Sequence, residues 1–411
     1  MNVDANGEGS VPSGGSYSKA VAAVTIAGAC TFLNVYCTQP LLPYLQQYFH
    51  ATEVQVSFTV GAVTLSVAIM APFIGMIAES VGRKRVIVPS LFAMAVPTLL
   101  AATANSLSGL IAWRFMQGLF VPGVIAVIIA YINEEFAGRT GAVMSAYVAG
   151  TVFGGFLGRF LTGVIAAHWN WHVAFVVLGI LDLLGALAVR RWLPLATHFV
   201  PARHMLKSLG DTWGHLRNPR LLMVCGMGFS VLFSLVGVFT YANFYLARAP
   251  FGLSTAGLGS VFFVYLLGCV VTPLSGRFHD RNGFRRTALA AAVMSLCGLL
   301  LTLAGWLPAV IAGLAVFSSG IFVSQASATV LTGQVAGRAR SSAAGLYVTF
   351  YYIGGSVGTA LPAWFWLKGG WPWCVALFAA MSLVTLALGF AGGRSIEDGA
   401  QLPGEIIDTA I

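Results

Sequence analysis

Apolar runs of roughly 18–25 residues recur along the whole chain, separated by short polar segments. That is the length a helix needs to cross a hydrocarbon core of about 30 Å. Twelve such runs are expected, near 20–40, 56–78, 86–103, 107–132, 143–167, 173–189, 221–246, 258–274, 287–303, 309–331, 343–367 and 372–391. Barrel strands alternate apolar and polar positions over about ten residues, whereas these runs are continuously apolar and longer, so the spans are helices. By far the longest polar interruption, 190–220, divides the chain six plus six. The pattern therefore predicts an all-α polytopic membrane protein: a tail (1–19), a six-helix bundle (20–189), a linker (190–220), a second six-helix bundle (221–391) and a second tail (392–411).

The two halves repeat each other, the signature of a transporter built from duplicated bundles around a central site. GMIAESVGRKR (75–85) and GRFHDRNGFRR (276–286) align at an offset of 201, so that Gly75, Glu79, Gly82 and Arg85 meet Gly276, Asp280, Gly283 and Arg286. SAYVAGTVFGGFLGRFLTG (145–163) and GLYVTFYYIGGSVGTALPA (345–363) align at an offset of 200, pairing Tyr147, Val148, Gly154, Gly155, Gly158 and Leu161 with identical residues. Trp171 meets Trp371 further on, but Arg159 meets Thr359. The arginine is an asymmetric addition to a shared framework. Gly150, Gly154 and Gly158 recur every four residues as a small-residue seam, which is expected to pack against the opposite half. The neighbouring face, Gly155, Arg159 and Gly163, then turns to the cavity or to Asp182.

Composition agrees with the pattern: 58% of the 411 residues are hydrophobic and 9% charged, far from a soluble domain. A net charge of +9 does not form a nucleic-acid face, because the basic residues sit in short loops where they set orientation. With both termini inside, eighteen Lys and Arg fall on the cytoplasmic side and two, Arg248 and Lys368, on the other. The first 19 residues lack the basic start and apolar core of a cleaved signal peptide, so a disordered cytoplasmic tail is expected. All six cysteines lie in apolar runs without a CxxC pair, and no metal or cofactor is called for.

At the level of motifs, GMIAESVGRKR resembles the cytoplasmic loop signature of the major facilitator superfamily, and GRFHDRNGFRR its second-half echo. RFMQG (114–118) resembles that superfamily's fourth-helix motif, and the glycine-rich fifth span its antiporter hinge. YCTQPLLPYL (36–45) and LYVTFYYIGGSVG (346–358) resemble the acriflavine-sensitivity group of exporters within it. The resemblance implies twelve helices in two six-helix bundles with pseudo-two-fold symmetry, and a cytoplasmic loop network that holds the outward-facing state. In that network Gly75, Gly82, Gly276 and Gly283 permit tight turns. Glu79 and Asp280 meet helix ends, and Arg83, Lys84, Arg85, Arg281 and Arg286 meet acids or lipid phosphates. Ser80 and Phe284 stand where the pattern has arginine. Gly354, Gly355 and Gly358 carry the hinge into the second half.

Three ionisable residues lie within spans. Arg114 is roughly 10 Å deep at about 1.5 Å per residue, where a charge costs about 2.5–3.5 kcal/mol unless it meets water, a partner or substrate. Arg159 is the second. Asp182 is the sole carboxylate well inside a span, and either a structural pair with Arg114 or Arg159 or a proton-transfer role fits it. Helices that the superfamily places around the cavity carry Asn34, Tyr36, Gln39, Tyr147, Tyr241, Asn243, Tyr245, Gln325, Tyr351 and Tyr352, and apolar walls with a few amides and phenols suit an amphipathic small molecule. No GxxxxGK[ST] loop is present, which argues against direct ATP hydrolysis, and no HExxH or nucleophile motif supports an enzyme. The expected function is proton-antiport export of small amphipathic compounds from the bacterial inner membrane, by a monomer. The alternatives are a proton symporter for a sugar, nucleoside or organic anion, and a membrane receptor that binds without flux.

Overall fold

The computed structural model describes residues 14–136, 138–196, 217–335 and 340–400. Much of the expected tails and linker therefore lies outside the described residues. The first half holds α1 (Gly14–Val35), α2 (Leu42–Tyr48), α3 (Glu53–Val81), α4 (Arg83–Ala101), α5 (Leu107–Phe120), α6 (Pro122–Glu135), α7 (Thr140–His168) and α8 (Trp171–Trp192). The second holds α9 (Pro219–Ala247), α10 (Thr255–Val261), α11 (Gly268–Leu301), α12 (Leu307–Val335), α13 (Arg340–Ala360) and α14 (Pro362–Ala400). Short 3₁₀ segments occupy Gln39–Leu41 and Phe262–Leu267.

Helix starts follow the local chemistry. Thr52 and Gln55 form a reciprocal capping box on α3, Ser106 caps α5, Asn170 caps α8, and Asn218 with Pro219 opens α9. Each cap satisfies an amide that the helix cannot. At the paired turns Gly82 has φ 104° and Gly283 has φ 76°, conformations that favour glycine. The two aligned loops thus share a backbone device.

Among the described residues, eleven helical segments are long and apolar enough to cross a membrane, against the twelve expected. α13 is the expected span outside that set. Its 21 residues include Ser341, Ser342, Tyr347, Thr349, Tyr351, Tyr352 and Ser356, with glycines at 345, 354, 355 and 358, which lower its hydropathy. The physical reason is its position: α13 packs against α9 on one side and α3 of the other half on the other, so protein replaces lipid around it. Lipid-facing surface shows elsewhere. On α3 the exposed Leu65, Ile69, Phe73 and Ile77 recur every four residues as an apolar stripe.

The glycine seams are symmetric in space. A Cβ on Gly154 or Gly158 would overlap the Ala29 or Leu33 carbonyl of α1, and one on Gly354 or Gly358 would overlap the Phe229 or Phe233 carbonyl of α9. Each contact in one half maps onto the other at an offset of 200. Gly150 likewise meets Thr25. This corrects the expected division of faces: the Gly150, Gly154 and Gly158 face packs α7 onto α1 within its own half. Close backbone approach without a Cβ explains the preference for glycine there.

The neighbouring face of α7 is the one that reaches across. Gly163 crosses Gly259 and Thr255 of α10, and Phe156 and Phe160 pack on Phe263, tilted and edge-to-face, at 4.5 and 5.5 Å between centroids. On the opposite flank, Ser356 of α13 donates to the Gly61 carbonyl of α3 at 3.2 Å, beside Thr359. Glu53 at the start of α3 pairs with Arg248 after α9 at 2.5 Å. These contacts lie toward the end of the bundle opposite the last turn of α8 and the first turn of α9, called here the far end.

Candidate functional site between the halves

The site begins where α1 gives way to the 3₁₀ turn Gln39–Leu41. Arg159 of α7 points at this junction and is 2% exposed. Its Nε donates to Gln39 Oε1 at 2.7 Å and its Nη1 to the Gly155 carbonyl at 2.5 Å. Three rings surround the guanidinium: Tyr36 at 4.7 Å, Phe262 at 4.7 Å and Tyr265 at 4.5 Å. Aromatic faces attract a cation, by about 0.5–2 kcal/mol each as burial deepens.

Phe262 and Tyr265 belong to the second half, and the 3₁₀ segment Phe262–Leu267 explains how both reach one point. At three residues per turn, positions i and i+3 eclipse, so the two rings project from the same side. Gln39 spans the halves as well. Its Nε2 lies 3.3 Å from Thr240 Oγ1 and 3.4 Å from the Val236 carbonyl, both on α9.

A second polar group runs through the first half. Asp182 of α8 accepts from Asn34 Nδ2 on both oxygens, at 2.8 and 2.7 Å. Thr98 of α4 donates toward Asn34 Oδ1 at 3.4 Å, and Gln117 of α5 donates to Thr98. Arg114 then donates to Gln117, to the Thr59 carbonyl at 3.1 Å and to the Val35 carbonyl at 2.8 Å. Neutral side chains thus join the buried acid to the buried base. Of the two roles left open for Asp182, the ion pair is not seen: among the described residues, Asp182 pairs with neither Arg114 nor Arg159. Arg114, 0% exposed, is the partnered case of the sequence reading, since two backbone carbonyls and an amide take its donors.

The whole group is confined to one half. At the 200 offset Asn34, Asp182, Arg114, Gln117, Gln39 and Arg159 face Ser234, Ser382, Leu314, Phe317, Phe239 and Thr359. The first half carries the charge and one ring, Tyr36, and the second supplies the other two, Phe262 and Tyr265.

Other expected residues divide. Tyr351 and Tyr352 stand beside Tyr36, Gln325 reaches the Tyr351 hydroxyl, and Tyr147 neighbours Tyr352. The Tyr147 hydroxyl is buried without a hydrogen-bond partner among the described residues. Tyr241, Asn243 and Tyr245 do not join this group. Tyr241 donates to the Thr359 carbonyl at 2.9 Å, Asn243 to Phe239 of its own helix at 2.5 Å, and Tyr245 stacks on Trp371 at 5.4 Å. Phe262, Tyr265, Thr98, Gln117 and Thr240 were missing from the candidates read off the sequence. Gln117 had a signal, three residues after Arg114 on one helix face.

At the loop motifs, Arg83 pairs with Glu134 of α6 at 2.6 Å and Lys84 donates to the Leu193 carbonyl after α8. Both contacts stay within the first half, where a latch between halves was expected. Arg85, Gly276, Arg281 and Arg286 are exposed. The surroundings of Gly75 and the side chains of Glu79 and Asp280 lie outside the described residues.

The comparisons match this architecture. The Major Facilitator Superfamily description matches residues 24–359 and 251–405. The Inner membrane transport protein YnfM of Escherichia coli (strain K12) is 33% identical over 375 residues, covering 91% of this chain and 90% of that protein. The uncharacterized MFS-type transporter YybF of Bacillus subtilis (strain 168) is 30% identical over 383 residues, covering 93% and 95%. Among solved structures, a bacterial homolog of the human lysosomal transporter Spinster, inward-facing and unoccupied, superposes with TM-score 0.77 at 15% identity, covering 96% of this chain and 100% of that one. The nucleoside transporter NupG superposes with TM-score 0.73 at 14% identity, covering 90% and 99%. With its family description, its curated relatives and its all-helical fold in agreement, this multi-pass membrane chain belongs to the Major Facilitator Superfamily and is a transporter.

Proposed function

We propose that this transporter works by alternating access and exports small amphipathic compounds in exchange for protons, as the resemblance to the acriflavine-sensitivity group implies. The observation that carries the reading is the Arg159 group, whose charge and Tyr36 ring come from one half and whose Phe262 and Tyr265 rings come from the other. A solute bound there contacts both halves, so their relative movement changes its surroundings. Asp182 is the proton carrier in this reading. It is a buried carboxyl with an amide partner, and taking up a proton there changes a whole charge in low dielectric, the lever that a proton-driven cycle requires.

In this reading both termini, the linker and the paired loops are cytoplasmic, which the excess of Lys and Arg there supports. The loop residues Gly75 to Arg85 and Gly276 to Arg286 then form the cytoplasmic gate, and the far-end contacts form the closed periplasmic gate. The domain limits given above, with bundles at 20–189 and 221–391, belong to the same proposal, as does a monomer as the working unit.

Respiring everted vesicles test the reading. Adding a transported compound from a panel of dyes, antibiotics and metabolites releases protons from the lumen in wild type. Asp182→Asn retains exchange of that compound but loses the proton release. Proton release unchanged in Asp182→Asn contradicts the assignment, and no substrate-dependent release in wild type contradicts antiport itself. A second reading, proton symport of a sugar, nucleoside or organic anion, draws on Arg114 and Arg159 against the single carboxylate Asp182 well inside the spans and on the fold shared with a nucleoside transporter. Radiolabelled uptake into whole cells distinguishes it.

A further inference from the structure

We propose that the solute held at the Arg159 group is a small aromatic organic anion, and that its acidic oxygens displace Gln39 from the guanidinium. This rests on the reading that the Arg159 group is the substrate site.

The charge balance points to an anion. A guanidinium has five N–H donors, and the partners shown for Arg159 are the Gln39 amide oxygen and the Gly155 carbonyl, both uncharged. The facing groups can be named element by element. The turn after α1 offers Tyr36 and Cys37, the Phe262–Leu267 segment offers Tyr265, and α13 offers Tyr351 and Tyr352 near Tyr36. Asp182 on α8 is engaged by Asn34, while Arg114 on α5 adds a second positive charge. A cationic solute entering here meets like charge in a poorly screened interior. A carboxylate matches the planar fork and its neighbouring donors.

The body of the solute follows from the walls. Tyr36, Phe262 and Tyr265 give flat apolar surface around the charge, which suits an aromatic ring carrying one acidic group. The pseudo-equivalents Thr359 and Phe239 carry no charge, and the Arg114 donors are engaged by Gln117 and the Thr59 and Val35 carbonyls, so the fit is to a monoanion.

Gln39 occupies the place of that anion. Its Oε1 sits 2.7 Å from Arg159 Nε, while its Nε2 reaches Thr240 and Val236 of the other half. A carboxylate forms the stronger, charge-assisted bond to Arg159. Once Gln39 is displaced, its link to α9 is free to break. Binding and release of a contact between the halves are then one event.

The test uses the full chain purified in detergent and three shape-matched sets: benzoate, benzamide and benzylammonium; naphthoate, naphthamide and naphthylmethylammonium; and the indole-acetate series built the same way. Binding is read by tryptophan fluorescence and thermal stabilisation. The acids are expected to bind at least about tenfold tighter than their amides and amines. Gln39→Glu, which supplies a built-in carboxylate, is expected to lose acid binding while remaining folded, and Gln39→Ala is expected to bind acids at least as tightly as wild type. Arg159→Gln loses acid binding. Amines or amides binding as well as acids, no acid binding up to its solubility limit, or full acid binding in Gln39→Glu each overturn the inference. Vesicle flux separates the two claims: export of cations or neutral compounds with no effect of acids leaves the transport reading standing and removes this one, whereas acid binding with the expected variant pattern but no flux does the reverse.

Discussion

A single methyl group decides much of the packing of this protein. Gly158 lies where α7 crosses α1, and a Cβ there would overlap the Leu33 carbonyl, whereas Gly141 at the start of the same helix has open space around it. Backbone cannot yield as a flexible side chain can. Gly158→Ala is therefore expected to destabilise the folded protein by about 1–3 kcal/mol, the cost of overpacking a close contact, and Gly141→Ala to leave it nearly unchanged. Thermal unfolding of the two purified variants in one detergent checks this, and equal midpoints would show that α7 and α1 have slack at the crossing. These glycines were legible in the sequence because their four-residue spacing and their copy at an offset of 200 are visible without coordinates. Their partner was not. Spacing defines a face of a helix, but which helix covers that face depends on tertiary packing, and the covering helix proved to be α1 of the same half.

The 3₁₀ segment Phe262–Leu267 shows the same limit at the level of an element. FFVYLL lies inside a continuous apolar run, so nothing in the pattern of polar and apolar positions marks a change of winding. On an α-helix, residues 262 and 265 would stand about 60° apart, while on a 3₁₀ turn they eclipse, and the difference brings Tyr265 to 4.5 Å from Arg159. Sequence reasoning found Arg159 because a charge in a span is conspicuous. It passed over Tyr265 because one phenol in an apolar run is not. Tyr265→Ala is expected to weaken solute binding at Arg159 by about 1 kcal/mol, or roughly fivefold, without altering expression. Titration of a bound solute against the purified variant checks it, and unchanged affinity would exclude Tyr265 from the site. α13 carries a related lesson: it was counted among the twelve apolar runs, yet it is not apolar enough to stand with the other eleven, because protein on both sides relieves it of the need to be apolar.

Seen whole, the molecule is two copies of one helical unit with a charged network in the first and apolar or small residues at the matching places in the second. Duplication was readable because it follows from long-range repetition, and the glycine contacts repeat at the same offset of 200. The way the halves meet was not, since the seam is built from small and apolar residues whose partners lie about 100 to 300 positions away. In the structure that seam is closed at the far end by α3 on α13, by α7 on α10 and by the Glu53–Arg248 pair. If transport is alternating access, this seam has to part in every cycle. A Cβ on Gly61 would stand 3.6 Å from the Thr359 Cβ, within the separation that a disulfide bridges. The decisive measurement is therefore substrate flux in everted vesicles carrying Gly61→Cys with Thr359→Cys, made in a background without the six native cysteines. The account predicts flux that is lost on oxidation and restored by a reductant; full flux through protein shown by mass spectrometry to be cross-linked would contradict it.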